Sequence, residues 1–243
     1  MRIVSLCPSI TESLVALGLG GSLAGITRYC VHPREALEGI PRVGGTKNPD
    51  FDAIAALAPD LVLCNAEENR GADVAALSKR HRVDVSHPTR VADVPPLLRR
   101  LGELTETGDV AEGWARAVEE KLSAARAGRA VRFAYLIWKG PWMAAAAGTY
   151  ISDLLETFGG VNVFPAAGGP WPKTGEEELA ALEPELVVLP DEPFPFGDAD
   201  RAHWARALPS ARVVRVPGED FCWHGVRTLR GLDAARALLG EVA

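Results

Sequence analysis

Long apolar runs, a surplus of either charge and paired cysteines are all missing from this 243-residue chain. No stretch approaches the ~18 consecutive apolar residues of a membrane-spanning helix, which excludes membrane insertion. Lys and Arg number 26 against 32 Asp and Glu, a net charge of −6, so there is no basic surface to track nucleic-acid phosphates. Four cysteines (Cys7, Cys30, Cys64, Cys222) show neither C-x-x-C spacing nor the density of a disulfide scaffold. Met1 is followed at once by Arg-Ile-Val-Ser-Leu, with no basic stretch and apolar core of a secretory leader. If Met1 is the native start, the chain is expected in the cytoplasm; if a leader was removed, it belongs to the periplasm or cell exterior. Catalytic signatures are absent too. There is no G-x-S-x-G, no phosphate-binding P-loop, no H-E-x-x-H and no dinucleotide glycine fingerprint, and an enzyme is not expected.

What remains is the composition of a globular α/β protein, 47% hydrophobic and 24% charged. Apolar runs at 3–6, 23–30, 60–64 and 83–87 read as strands. They alternate with helical patterns after Ser9, at 51–57, at 70–80 and at 94–104, the signature of a mostly parallel sheet. Ser9 and Glu12 have the spacing of a capping box. Residues 107–128 lack proline, and Val110, Trp114, Val118 and Leu122 recur every four residues as one helical stripe. A strand pattern restarts at 132–138, with a helix at 150–158, strands at 186–189 and 212–216, and a closing helix from Val226. The segment Ala-Ala-Leu-Ala-Pro-Asp-Leu-Val-Leu at 55–63 returns as Ala-Ala-Leu-Glu-Pro-Glu-Leu-Val-Val-Leu at 180–189. Two α/β lobes with Rossmann-like parallel sheets follow, residues 1–105 and 129–243, joined by a backbone helix at 106–128, with a ligand cleft between them. A monomer is expected.

The order of RIVSLCPSITE, GITRYC, GGTKNPDFDAIAALAPDLVL, FGGVNVF, GPWPKTGEEELAALEPELVVL and a final VRTLRGLDAARAL resembles the class III substrate-binding proteins of ABC importers, above all those for cobalamin. The resemblance implies a binding protein for a cobalamin-like corrinoid or another metal chelate, haem or a ferric siderophore, with no cofactor required. It places Tyr29 and Trp171 at aromatic ligand-contacting positions. It also implies docking of Asp52 and Glu177 onto the transporter's membrane subunits. The chain departs from the cobalamin binders where Cys222-Trp-His-Gly-Val-Arg replaces an aromatic turn ending in Pro-Arg.

Ligands of open α/β sheets sit beyond the carboxyl ends of the strands. Four tryptophans fall at such positions or in loops, Trp138, Trp142, Trp171 and Trp223, with Phe194 and Phe221 beside them, and together they suit a broad flat macrocycle. Glu68, Asn69 and Arg70, between a strand and a helix, are the candidates for orienting its polar groups. Phe194 lies in a Glu-Pro-Phe-Pro-Phe run too proline-rich for regular structure, which reads as a rigid aromatic rim. Cys30-x-His32, with His224, is the candidate metal set. That set supports the alternative of a cytoplasmic transition-metal protein, and a Cys/His enzyme on this fold is the remoter one.

Overall fold

The computed structural model describes residues 1–242, which fall into two units. The first comprises residues 1–88, 93–118 and 223–227; the second comprises 89–92, 119–222 and 228 onward.

In the first unit, β1 (Ile3–Ser5) leads into α1 (Pro8–Ala16), and β2 (Leu23–Ile26) is followed by a loop that carries the short pair β3 (Gly44–Gly45) and β4 (Asn48–Pro49). Then come α2 (Phe51–Ala56), β5 (Leu61–Asn65), α3 (Gly71–Ser78), β6 (Val83–Ser86), α4 (Val94–Thr105) and α5 (Gly108–Ala124). The sheet order is β2-β1-β5-β6, parallel throughout. Its strands are apolar on both faces because helices cover both, the expected state of a parallel sheet. One face packs Ile3, Ile10, Leu14, Leu61 and Leu101, the other Val4, Ile54, Val62 and Leu77.

The second unit has β7 (Val131–Trp138), β8 (Trp142–Ala145), α6 (Tyr150–Glu156), β9 (Gly160–Asn162), β10 (Lys173–Thr174) and α7 (Glu176–Ala181). It continues with β11 (Leu186–Pro190), α8 (Asp198–Ala207), β12 (Arg212–Val216), α9 (Glu219–Cys222) and α10 (Thr228–Gly240). Its sheet runs β10-β8-β7-β11-β12, with β9 also on β7. Strands β9, β7, β11 and β12 are parallel, and β8 and β10 are antiparallel additions at one side. The sequence pattern showed no strand at 142–145, because Trp-Met-Ala-Ala lacks both alternation and β-branched residues.

Two local readings need correction. α5 holds 17 residues and runs from the first unit into the second. Its buried face is Ala111, Ala115 and Val118, while Val110 is 48% exposed. A strict four-residue spacing drifts around a 3.6-residue helix, so Val110 and Leu122 cannot share a stripe. Ser9 does not cap α1, whose N-cap is Cys7 with Pro8 at the first turn. Ser9 and Glu12 instead serve tertiary contacts to residues 224 and 227. Among the described residues no helix is long and apolar enough to cross a membrane.

Candidate functional site

At the carboxyl ends of the first unit's strands, the backbone itself sorts side chains in and out. After β2 the chain turns, with Cys30 N–H donating to the Thr27 carbonyl. Tyr29 is left 53% exposed, with the Arg28 guanidinium 5.6 Å over its ring, whereas Cys30 is fully buried. The Cys30 thiol lies 3.1 Å from Thr11 Oγ1 and 3.2 Å from Thr27 Oγ1, and burial raises its pKa. Burial likewise pushes Cys7 and Cys64 up to about 12, so these are neutral packing thiols rather than ready metal ligands.

His32 meets the edge of Trp223 at 5.7 Å. Trp223 in turn lies under the Arg227 guanidinium at 5.0 Å, and Arg227 forks onto Glu12 with two hydrogen bonds of 2.7 Å. His224 is buried against Ser9 Oγ at 3.3 Å and Asn65 Nδ2 at 3.2 Å. Burial, reinforced by His87, holds its pKa down at about 4. Cys30, His32 and His224 are thus engaged in three different places. Among the described residues no three His, Cys, Asp or Glu side chains converge as a metal set. The Cys-x-His spacing implied a shared direction only for extended backbone, and the turn at 27–30 removes that premise.

Residues 65–70 wind into a compact loop after β5. Asn65 Oδ1 accepts from the Glu67 and Glu68 N–H groups at 2.9 and 3.1 Å. Asn69 gives its amide to the Leu6 and Thr46 carbonyls and accepts from Asn65 N–H. Asn69 therefore positions loops and is itself buried, contrary to the ligand-orienting role expected of it. Glu68 is half-buried and Arg70 exposed at the start of α3. Lys47 Nζ donates to the Glu67 carbonyl, and His87 stands 3.7 Å from the Glu67 carboxylate. Partial burial raises the Glu67 pKa, and His87 opposes that rise.

The second unit's carboxyl edge is aromatic and acidic. Trp138, at the end of β7, is 43% exposed and meets Phe194 edge-on at 5.5 Å; Phe194 continues to Phe196 at 4.9 Å. Two expected ligand contacts turn out to be packing. Trp142 stacks on Phe196 and His203 and meets Trp204 edge-on at 5.0 Å, since β8 points it back toward α8. Phe221 is 2% exposed and packs on Tyr135 at 5.9 Å. Trp171 is half-buried between Pro170 and Pro172, whose carbonyls accept from Ala146 and Ala144. Trp223 is buried, as described above. Sequence reasoning passed over Tyr135, hidden in a strand, and Asp191, which precedes the Glu-Pro-Phe-Pro-Phe run; the abrupt change from Leu-Val-Val-Leu-Pro to Asp was the available signal.

Two α/β units whose strand ends carry exposed aromatics define the class: the chain belongs to the periplasmic binding protein family, whose model matches residues 3–200. Within that class it is similar to the vitamin B12-binding protein of Vibrio cholerae, 26% identical over 238 residues that cover 96% of this chain and 86% of that one. A solved structure of a periplasmic vitamin B12 binding protein from Vibrio cholerae superposes with a TM-score of 0.86 at 23% identity, covering 99% and 97% of the two chains, and shows the same two-lobe α/β fold. A periplasmic heme binding protein from Pseudomonas aeruginosa gives a TM-score of 0.81 at 25% identity, over 98% and 91%. The cytoplasmic expectation, which rested only on the residues after Met1, is not supported, because these similar proteins are periplasmic.

Proposed function

We propose that this chain is a non-catalytic substrate-binding protein that carries a cobalamin-like corrinoid, haem and ferric siderophores being the other chelates of the same class. The observation that carries the reading is an exposed aromatic at the carboxyl edge of each sheet, Tyr29 in one unit and Trp138 in the other. Large aromatic faces left in water are costly unless something flat covers them. The likeness to vitamin B12-binding proteins over almost the whole chain supports a corrinoid as that cover. Work outside the cytoplasm and delivery to an ABC transporter belong to the same reading. Asp52 and Glu177, each exposed at the second position of a six-residue helix, are the proposed docking residues.

The test is titration with cyanocobalamin, haemin and a ferric siderophore, followed by tryptophan fluorescence. Cyanocobalamin is expected to quench saturably, and Trp138→Ala to weaken it by roughly tenfold, the scale of one stacked aromatic contact. Saturation by none of the three would overturn the proposal. For docking, reversal of charge at both Asp52 and Glu177 is expected to abolish transporter binding with ligand affinity unchanged.

A further inference from the structure

We propose that Arg42 and the Trp223 stack are positioning groups for the ligand: they brace the loop that presents Tyr29, and so set chelate affinity without touching the chelate. Because it acts through Tyr29, this role rests on the substrate-binding reading above. It also gives a use to the Cys222-Trp-His-Gly-Val-Arg segment, where the chain departs from the cobalamin binders. Tyr29 is exposed in the turn after β2, and an exposed side chain binds well only when little freedom is left for the ligand to remove. At the start of that turn the chain returns beside β2. Arg42 pairs with Ile26 as an isolated parallel bridge, and Val43 N–H donates to the Ile26 carbonyl at 2.9 Å. From this register the Arg42 guanidinium reaches the turn, where Nη1 donates to the Thr27 carbonyl at 3.2 Å and to the Cys30 carbonyl at 2.8 Å. Those carbonyls flank Arg28 and Tyr29, so one nitrogen ties both sides of the presented residue. Inside the turn, Thr27 Oγ1 accepts from Tyr29 N–H at 3.3 Å.

The far end of the loop is held at His32, which meets Trp223 edge-on at 5.7 Å. Trp223 is a firm support. It is buried, with the Arg227 guanidinium 5.0 Å over its ring, and Arg227 is itself forked onto Glu12 of α1. The residues between them are clamped to the same helix. Val226 N–H donates to Ser13 Oγ at 3.2 Å. Gly225, at φ 86°, comes so close to α1 that a Cβ there would lie 2.1 Å from Ser13 Oγ, so only glycine admits the approach. Residues 223–227, α1 and the Tyr29 loop all belong to the first unit. The brace is therefore rigid on the side of α1 and joins the loop through modest contacts, one aromatic edge and two carbonyl hydrogen bonds. Loss of any one of these loosens the loop without unfolding the unit.

The experiment uses the whole chain and its Arg42→Ala and His32→Ala variants, neither of which removes a fully buried residue. Each is expected to weaken cyanocobalamin binding by roughly three- to tenfold, the scale of one side chain that must be ordered on binding, with the urea midpoint nearly unchanged. In a Tyr29→Ala background neither substitution should weaken binding further, because the group it acts through is gone. Without ligand, the Tyr29 and Cys30 amides should exchange with solvent faster in both variants than in the wild type, while the β1 amides keep their protection. Wild-type affinity in both variants would overturn the proposal and leave the substrate-binding reading standing. Equal weakening with and without Tyr29 would likewise overturn it, since the two residues would then act on the ligand by another route. If the wild type binds no cyanocobalamin, the corrinoid reading fails on its own and amide exchange decides the brace: unchanged Tyr29 and Cys30 exchange in both variants overturns it.

Discussion

Residues 51–65 and 176–190 are the same device built twice. In each, a six-residue helix ends in a left-handed residue, Ala58 with φ 43° or Glu183 with φ 46°, then proline, an acid and a buried strand. In each, an arginine just before or at the start of the unit's first strand clasps that junction. Arg2 N–H donates to the Asp60 carboxylate and Arg2 Nε to the Leu57 carbonyl. Arg132 N–H donates to the Glu185 carboxylate, and its guanidinium to the Glu183 and Leu182 carbonyls. The strand ends beyond these frames share an exposed aromatic, Tyr29 or Trp138, and differ in the rest: histidine, cysteine, amide and glutamate groups surround it in the first unit, and clustered aromatics with Asp191 and Glu192 in the second. The frame is repeated where it sets the backbone and differs in the loops beyond it, where sequence is free to vary.

The largest expected difference between the units lies in their arginine pairs. Arg227 and Glu12 of the first unit form a pair whose arginine side chain is nearly enclosed, whereas Arg129 and Glu185 of the second stand in solvent. Arg227→Ala strands Glu12 and uncovers Trp223, and is expected to cost about 3–5 kcal/mol in urea unfolding. Arg129→Ala should cost far less. Equal losses would break the contrast.

Next in size is a pH effect confined to the first unit. Above about pH 6.5 His224 is neutral in the folded and unfolded states and contributes nothing to pH dependence. As the pH falls below that value the unfolded chain takes up the proton first, because burial, reinforced by the charge of His87, keeps the folded group neutral until about pH 4. Stability should therefore decline between pH 6.5 and 4, by on the order of 3 kcal/mol. Unfolding midpoints of wild type and His224→Gln across that window isolate the group from the carboxylates that titrate with it. Parallel curves would remove His224 as the cause.

Much of the frame was legible in the sequence. Pro59 and Pro184 forbid helix continuation, and the apolar runs after them fit only buried strands, so both helix–strand junctions were readable. The arginine clasp was not, because Arg2 and Arg132 look like ordinary strand-edge charges until the helix ends are folded against them. At the site, exposed Tyr29 and Trp138 stood out by type and position. Trp142 misled because a loop reading placed it outside a sheet that in fact includes β8. Ser9 and Glu12 misled because a capping box and a pair of tertiary contacts demand the same residues. Asn69 misled because polarity after a strand does not tell whether an amide faces a ligand or the chain's own carbonyls. Local patterns report backbone state well and the target of a polar side chain poorly.

The smallest expected effect asks whether the repeat is energetic as well as geometric. A non-glycine residue in the left-handed region crowds its Cβ against the neighbouring carbonyl. Ala58 and Glu183 both carry that strain, and in both places the following proline holds the junction on the way into a buried strand. Replacing either by glycine removes the crowding but gives the unfolded chain more freedom, so the net gain is expected to be only about 0.5 kcal/mol. If the two junctions are one device, Ala58→Gly and Glu183→Gly should stabilise by similar amounts, and the double variant by their sum. The alanine isolates the backbone contribution. The glutamate adds loss of a side chain at a site whose carbonyl is already held by Arg132. Urea midpoints of the three variants decide the matter. A gain at one junction with a loss at the other would mean that the units share a shape without sharing the balance of forces that keeps it.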